Sequence, residues 1–327
     1  MKNLEMLNIK NIIIKLILII LFYFISSFML EQGIIPPHIE SNMFFIGINI
    51  ILAVSLNLIN GFTGQFSLGH AGFMALGAYA SAAVTSIYGK DFVFGILAAA
   101  VITAIAGLII GIPTLRLKGD YLAIATLGFA EIIKVLLENY EKFGGAAGMS
   151  DIPFYTTWPW LYFSVIITIV LISNFIKSYQ GRACIAIRED EIAAEAMGVN
   201  TTYYKVLAFV IGATFAGIAG ALYANRIYYI KPGDFSFMKS IDILVMVVFG
   251  GIGSVSGAVV GTLILAVIST ALQDAMEYRM LIYAFILAII MIYRPQGILG
   301  KNGFKSIKRR VRKLFKKEEK ANASIKG

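Results

Sequence analysis

FVFGILAAAVITAIAGLIIGIP, residues 92–113, carries no charged residue along its 22 positions. At ~1.5 Å per residue a helix of this length spans about 33 Å, enough to cross a hydrocarbon core of about 30 Å. The run is apolar on every face. A membrane barrel strand alternates apolar and polar residues instead. Outward from it, similar runs lie at 11–30, 42–59, 71–88, 121–138, 160–176, 206–225, 241–253, 257–272 and 280–294, making ten candidate spans. The expected fold is an all-α polytopic membrane protein of about ten transmembrane helices. The eighth run is short for a crossing, so 241–253 and 257–272 read either as two crossing helices or as a broken or re-entrant pair. Such backbone is tolerated only when buried in protein or lining a cavity.

Composition agrees. The chain is 58% hydrophobic and 14% charged, with mean hydropathy +0.80. Soluble domains are about 45–50% apolar and about 25% charged. The first run is too long for a signal peptide and lacks a small-residue cleavage site before Glu31, so it reads as a retained anchor helix. Cys184 is the only cysteine, which excludes an internal disulfide and a thiolate metal site. His38 and His70 are the only histidines. His38 is expected in a loop beside Pro36 and Pro37, and no metal site is expected.

The net charge of +9 is confined to one place. Residues 301–327 hold eleven Lys or Arg and two acids, and the other 300 residues balance. A basic tail directly after an apolar span marks the cytoplasmic side and touches anionic lipid, in preference to nucleic acid. Ten spans then put both termini in the cytoplasm. Loops 114–120 and 177–205 fall inside, and loops 31–41 and 139–159 fall outside. Trp158 and Trp160 end the latter, where an aromatic belt is expected. The chain divides into a cytoplasmic N-terminus 1–10, a membrane domain 11–300 and the basic tail 301–327.

Residues 178–206, SYQGRACIAIREDEIAAEAMGVNTTYYKV, are polar between two apolar runs. Cys184 to Met197 can form a short amphipathic helix with Ile185, Ile192, Ala193, Ala196 and Met197 on one side. Arg188, Glu189 and Glu195 can face outward, and Gly198 is a natural stop. An ordered loop of this size in a tight-looped protein suggests docking of a soluble partner.

No P-loop, Gly-x-Ser-x-Gly elbow or His-Glu-x-x-His is present. The most suggestive polar segment holds Asn57, Asn60, Gly61, Gly64, Gln65, Ser67, Gly69 and His70. It reads either as a cytoplasmic turn or as irregular backbone lining a translocation path. Gly61, Gly64, Ser67 and Gly72 recur as Gly250, Gly253, Ser256 and Gly261 at a constant offset of 189. Glu131 and Lys134 lie three apart and can pair on one helix face, either within the membrane or at its edge.

NLINGFTGQFSLGHAGFMALGAYASA (57–82), GDYLAIATLGFAEII (119–133), GRACIAIREDEIAAEAMGVNTTYYKVLAFVIGATFAGIAGALYA (181–224), MVVFGGIGSVSGAVVG (246–261) and YRPQGILG (293–300) occur in this order. In them the chain resembles the inner-membrane permeases of branched-chain amino-acid ABC importers, the LivM-like subfamily. The resemblance implies a permease without ATPase activity, in the cytoplasmic membrane of a bacterium or archaeon. It implies four partners of three kinds: a homologous second permease subunit, two ATP-binding subunits and an extracytoplasmic substrate-binding protein. No cofactor is expected on this chain, ATP being used by the partner subunits. The loop between spans 6 and 7 looks like the type II importer arrangement. The family's Glu-Ala-Ala…Gly coupling loop falls on Ala193, Ala194 and Gly198. Ile192 stands where the motif has Glu, Glu191 is one residue early, and no Leu-x-Pro follows. Coupling candidates are therefore Arg188, Glu191, Ala193, Ala194, Glu195, Ala196 and Gly198. Three other readings stay open at this point: the same architecture for urea, a short amide or another amino acid; an ion-coupled secondary transporter; and a structural subunit without a path.

Overall fold

The computed structural model describes residues 19–114 and 119–271, with the single residues Ile17, Leu117 and Phe285. The span expected at 280–294, apart from Phe285, the segment 1–10 and the tail 301–327 lie outside the described residues. Among the described residues the chain is helical, with one isolated bridge, Met149 to Ile230, and no strand. Four helices are long and apolar enough to cross a membrane, and a bent pair makes up to a fifth. The chain is thus an all-helical, multi-pass membrane protein.

The helices are α1 (Ile19–Glu31), α2 (Pro37–Asn57, continued as a π-helical turn Leu58–Phe62), α3 (His70–Ala82, continued as Ala83–Ile87), α4 (Phe92–Thr114) and α5 (Asp120–Glu138). They continue as α6 (Trp158–Lys177), α7 (Tyr179–Glu189), α8 (Glu191–Ala196), α9 (Thr201–Ala224), α10 (Phe237–Gly250) and α11 (Val255–Ala271). Two expectations are corrected at the start of α2. The helix begins at Pro37, ahead of residue 42, and His38 is helical. Proline has no N–H to lose in the first turn and its φ suits a helix, so Pro37 opens the helix.

Small residues decide which helices touch. Along α4, Gly95, Ala99, Thr103, Gly107 and Gly111 are buried at spacings of four. Phe94, Leu97, Val101, Ile105 and Ile109 of the same helix are exposed. This inversion suits lipid: bulky chains face the hydrocarbon, and small ones let backbones approach where apolar burial gives no drive. A Cβ on Gly107 would lie 3.0 Å from Ala213 Cβ, and one on Gly77 would lie 2.1 Å from the Gly217 carbonyl. Helix α9 is therefore held directly against α3 and α4. Helix α2 is buried on all faces from Ile50 to Thr63, as expected of a helix apolar all round at the centre of a bundle. Helix α1 packs on α6, where the Trp158 indole donates to Ser26 Oγ (2.9 Å) and the Tyr162 hydroxyl to the Ile19 carbonyl (2.7 Å).

The runs 241–253 and 257–272 form a sharply bent helix pair. Pro232–Gly250 and Val255–Thr270 meet at a 116° bend. The connections sort into two ends. At one end Arg226 of the 225–236 segment pairs with Glu40 (2.9 Å), and its guanidinium lies over Phe44 and Phe154. Ser86 donates to the Asp151 carbonyl there. At the other end the turn after α2, Leu117 and Gly119, the loop 177–205 and the α10–α11 bend converge. Loops 31–41 and 139–159 thus share one end, and loop 177–205 lies at the other.

Candidate functional site

The second of these ends is built on Asn57. Its Oδ1 accepts from the Gly253 amide (2.8 Å) and its Nδ2 donates to the Ser254 carbonyl (2.8 Å). One buried amide thus meets two backbone groups at the α10–α11 bend: the Gly253 amide, and the Ser254 carbonyl that also accepts from the Ala258 amide (2.9 Å) as α11 begins. Gly61 sits against the same contact: a Cβ there would lie 2.0 Å from Asn57 Oδ1 and 2.4 Å from the Gly253 amide nitrogen. The echoed glycines share a backbone form, since Gly64 has φ 72° and Gly253 has φ 80°. Helix α11 begins two residues after Gly253, whereas α3 begins six residues after Gly64.

The rest of the segment folds into a closed polar knot. Asn60 Nδ2 donates to the Ser67 carbonyl (3.3 Å), and its Oδ1 accepts from the Ser67 amide (3.2 Å). The first turn of α3 is held by neighbours. The Leu68 amide donates to Thr126 Oγ1 of α5, and the Ala71 amide to Ser240 Oγ of α10. His70 Nε2 lies 2.9 Å from Ser55 Oγ of α2. A Cβ on Gly69 would lie 2.3 Å from the Thr126 carbonyl, so α5 crosses in backbone contact. Asn57, Asn60, Gln65, Ser67 and His70 are all buried within this one chain. Among them, the Gln65 amide atoms and His70 Nδ1 have no partner among the described residues.

The loop expected to form one helix forms two. Asp190 breaks it: its backbone is extended, and Oδ1 caps α8 by accepting from the Ile192 and Ala193 amides (3.0 Å each). Ser178 caps α7 in the same way through the Gly181 amide. Gly198 adopts the expected left-handed stop, with φ 83°. Glu191 pairs with Lys205 at the start of α9 (2.6 Å), which fixes α8 to the bundle. Ala194 is buried, whereas Ala193, Glu195 and Ala196 are exposed. Ile192 and Met197 are 75% and 84% exposed, an apolar patch outside the spanning segments.

Arg188 differs from expectation. It turns inward and donates through Nη1 to the Gly61 carbonyl (2.6 Å), because the carbonyls at a helix end next to a bend lack internal partners. A cavity of about 280 Å³ opens between Gly64, Gln65 and Phe66 on one side and Ile187, Arg188 and Lys205 on the other. Glu131 and Lys134 do form a pair (3.3 Å), half-exposed on α5, which runs unbroken past Ala130.

Cys184 is buried and its thiol meets the Tyr204 carbonyl at 3.7 Å. Burial pushes the thiol up to about 11. The thiolate is the reactive form, so at pH 7 to 8 Cys184 should stay unlabelled by maleimide in the folded protein and react after denaturation. Labelling of the folded protein at the rate of an exposed cysteine would contradict this packing.

Sequence reasoning missed Asn57 as the tie between the two glycine turns, and Arg226 with Glu40 at the other end. The first had a signal in the echo at offset 189. The second had none, its partners being 186 residues apart.

The comparisons with known proteins agree. Residues 38–293 match the family model described as branched-chain amino acid transport system, permease component. The chain is 37% identical over 287 residues to the high-affinity branched-chain amino acid transport system permease protein LivM of Escherichia coli K12, covering 77% of this chain and 68% of the relative. The LivM of Salmonella typhimurium gives the same identity and coverage. Identity to the permease protein LivH of Escherichia coli K12 is 28% over 281 residues, covering 77% of this chain and 91% of the relative. No solved structure matches the chain. The chain belongs to the branched-chain amino acid transport permease family.

Proposed function

We propose that this family member is the permease subunit of an ATP-driven importer, and that it forms part of the path for leucine, isoleucine and valine across the cytoplasmic membrane. The observation that carries the coupling part is the patch on α8. Ile192 and Met197 stand exposed on a capped, bundle-anchored helix outside the spans. Free apolar side chains on an ordered loop mark a contact for a partner, here an ATP-binding subunit. ATP is hydrolysed by two such partners, and this chain holds no nucleotide. A second permease subunit completes the path. Similarity to both LivM and LivH, two permease proteins of one organism, supports a heterologous pair. An extracytoplasmic protein delivers substrate to the end that holds Glu40 and Arg226, and the basic tail lies on anionic lipid.

The solute is a zwitterion with a branched apolar side chain. It needs hydrogen-bonding groups and an apolar wall. In the segment from Asn57 to His70 most polar atoms already bond one another, so the knot moves as a unit. Gln65 and His70 Nδ1 are the buried groups left to meet a solute. Uptake of labelled leucine by cells expressing the whole system should be suppressed by unlabelled isoleucine and valine. Suppression by urea or a short amide instead would replace the substrate while leaving the architecture.

Sidedness has its own test. With α7 and α8 in the cytoplasm, a cysteine at Ser150 should be labelled by an impermeant reagent added to intact cells, and one at Glu195 should not. The reverse pattern would invert the topology and detach the loop from any cytoplasmic partner.

A further inference from the structure

Two glycine turns far apart in sequence leave a slot, and one side chain fills it. Gly64 and Gly253 both adopt left-handed backbone, with φ 72° and 80°. A Cβ on Gly64 would lie 2.9 Å from Arg188 Cγ, and one on Gly253 would lie 2.8 Å from Arg188 Nη1. Between them Nη1 donates to the Gly61 carbonyl (2.6 Å). The side chain is 16% exposed, and its other nitrogen, Nη2, pairs with Glu189. Arg188 belongs to the last turn of α7, which is one residue from the cap of α8. The two turns it touches are the end of α2 and the bend between α10 and α11, already joined to each other through Asn57.

We infer that Arg188 is the positioning residue that transmits motion of α7 and α8 to the α2 and α10–α11 junction. This rests on the proposed docking of an ATP-binding subunit on α8. A guanidinium suits the task because its planar fork donates in two directions from a fixed geometry, whereas an ammonium is a single point on a flexible stem. A displacement of α8 carries Asp190 and the end of α7 with it. Arg188 then pulls the Gly61 carbonyl or releases it. The junction responds as one body because the Asn57 bonds hold its two halves. A switch of this kind works when the two states differ in these contacts.

The test uses the full importer, reconstituted with its sister permease, ATPases and binding protein, carrying Arg188→Met or Arg188→Lys. The quantity to read is leucine molecules transported per ATP hydrolysed. Removal of a charge-assisted hydrogen bond predicts a fall of about tenfold or more for Arg188→Met. Arg188→Lys should be intermediate, with ATPases co-purifying in both. A ratio equal to wild type in Arg188→Met overturns the inference. Loss of the ATPases from both variants also overturns it, since the side chain would then belong to the docking contact. Should Arg188→Met fail to insert, the ratio for Arg188→Lys decides in the same two directions. Failure of the docking reading shows elsewhere: Ala193→Arg would keep its ATPases. If only the transmission role fails, Ala193→Arg loses them while both Arg188 variants keep the wild-type ratio.

Discussion

Ala193→Arg is expected to strip the ATP-binding subunits from the purified complex while leaving this chain in the membrane and paired with its sister. Ala193 is exposed on α8 between Ile192 and the buried Ala194. Its methyl group lets a partner surface come close. An arginine there places bulk and an unpaired charge in a contact that must lose its water, at a cost of about 3–5 kcal/mol. That is about two to three and a half orders of magnitude in affinity. Ala196→Arg should act the same way. Glu195→Gln should do much less, since binding energy in such contacts gathers in a few buried apolar groups and rim charges contribute little. The fold of the loop should survive, because Asp190, Lys205 and Gly198, which hold α8, are untouched. Retention of both ATPases by Ala193→Arg and Ala196→Arg, with substrate-stimulated hydrolysis intact, would show that the partner docks elsewhere.

The second large effect is expected at the glycine segment. Gly64→Val and Gly69→Leu should each abolish uptake while the protein still reaches the membrane. Gly64 has φ 72°, a conformation that costs a β-branched residue about 1–3 kcal/mol, and its Cβ would press on Arg188. At Gly69 the obstacle is backbone: a Cβ would lie 2.3 Å from the Thr126 carbonyl, so α3 and α5 must separate. Membrane insertion should persist because each span enters on its own hydrophobicity and the helices associate afterwards. The measurements are leucine uptake and the amount of protein in the membrane. Normal uptake at normal expression in both variants would remove this segment from the moving part of the permease.

Much of the architecture is legible before any coordinates, for a physical reason. In lipid each backbone polar group must be satisfied within its own segment, so an apolar run has few conformations to choose from. The runs from 71–88 to 257–272 each correspond to a helix, with ends displaced by up to about five residues. The bend between α10 and α11 follows from the short run at 241–253 and its glycines. The basic tail, which orients the expected topology, lies outside the described residues.

What was not legible is mostly direction and partnership. Arg188 is a charge on a water-facing loop, and periodicity places it as readily outward as inward. Only the unpartnered Gly61 carbonyl, distant in sequence, draws it in. The break at Asp190 had a local signal, an aspartate ahead of Glu-Ile-Ala-Ala, but a helix through 184–197 satisfies the same apolar pattern. The polar segment from Asn57 to His70 was visible as unusual. Whether its amides and hydroxyls face a path or one another depends on Thr126, Ser240 and the turn at Gly253, which no local reading supplies.

The proposed function of this chain is transport of branched-chain amino acids at the expense of ATP hydrolysed by partner subunits. It is tested most directly in proteoliposomes holding the whole importer, with labelled leucine and binding protein on one side and ATP on the other. The expected result is accumulation of leucine only when ATP is present, lost on chelation of magnesium and unaffected by collapsing proton and sodium gradients. Accumulation that follows an ion gradient without ATP would contradict the claim, and would turn attention to the Glu131 and Lys134 pair on α5 instead of the loop on α7 and α8.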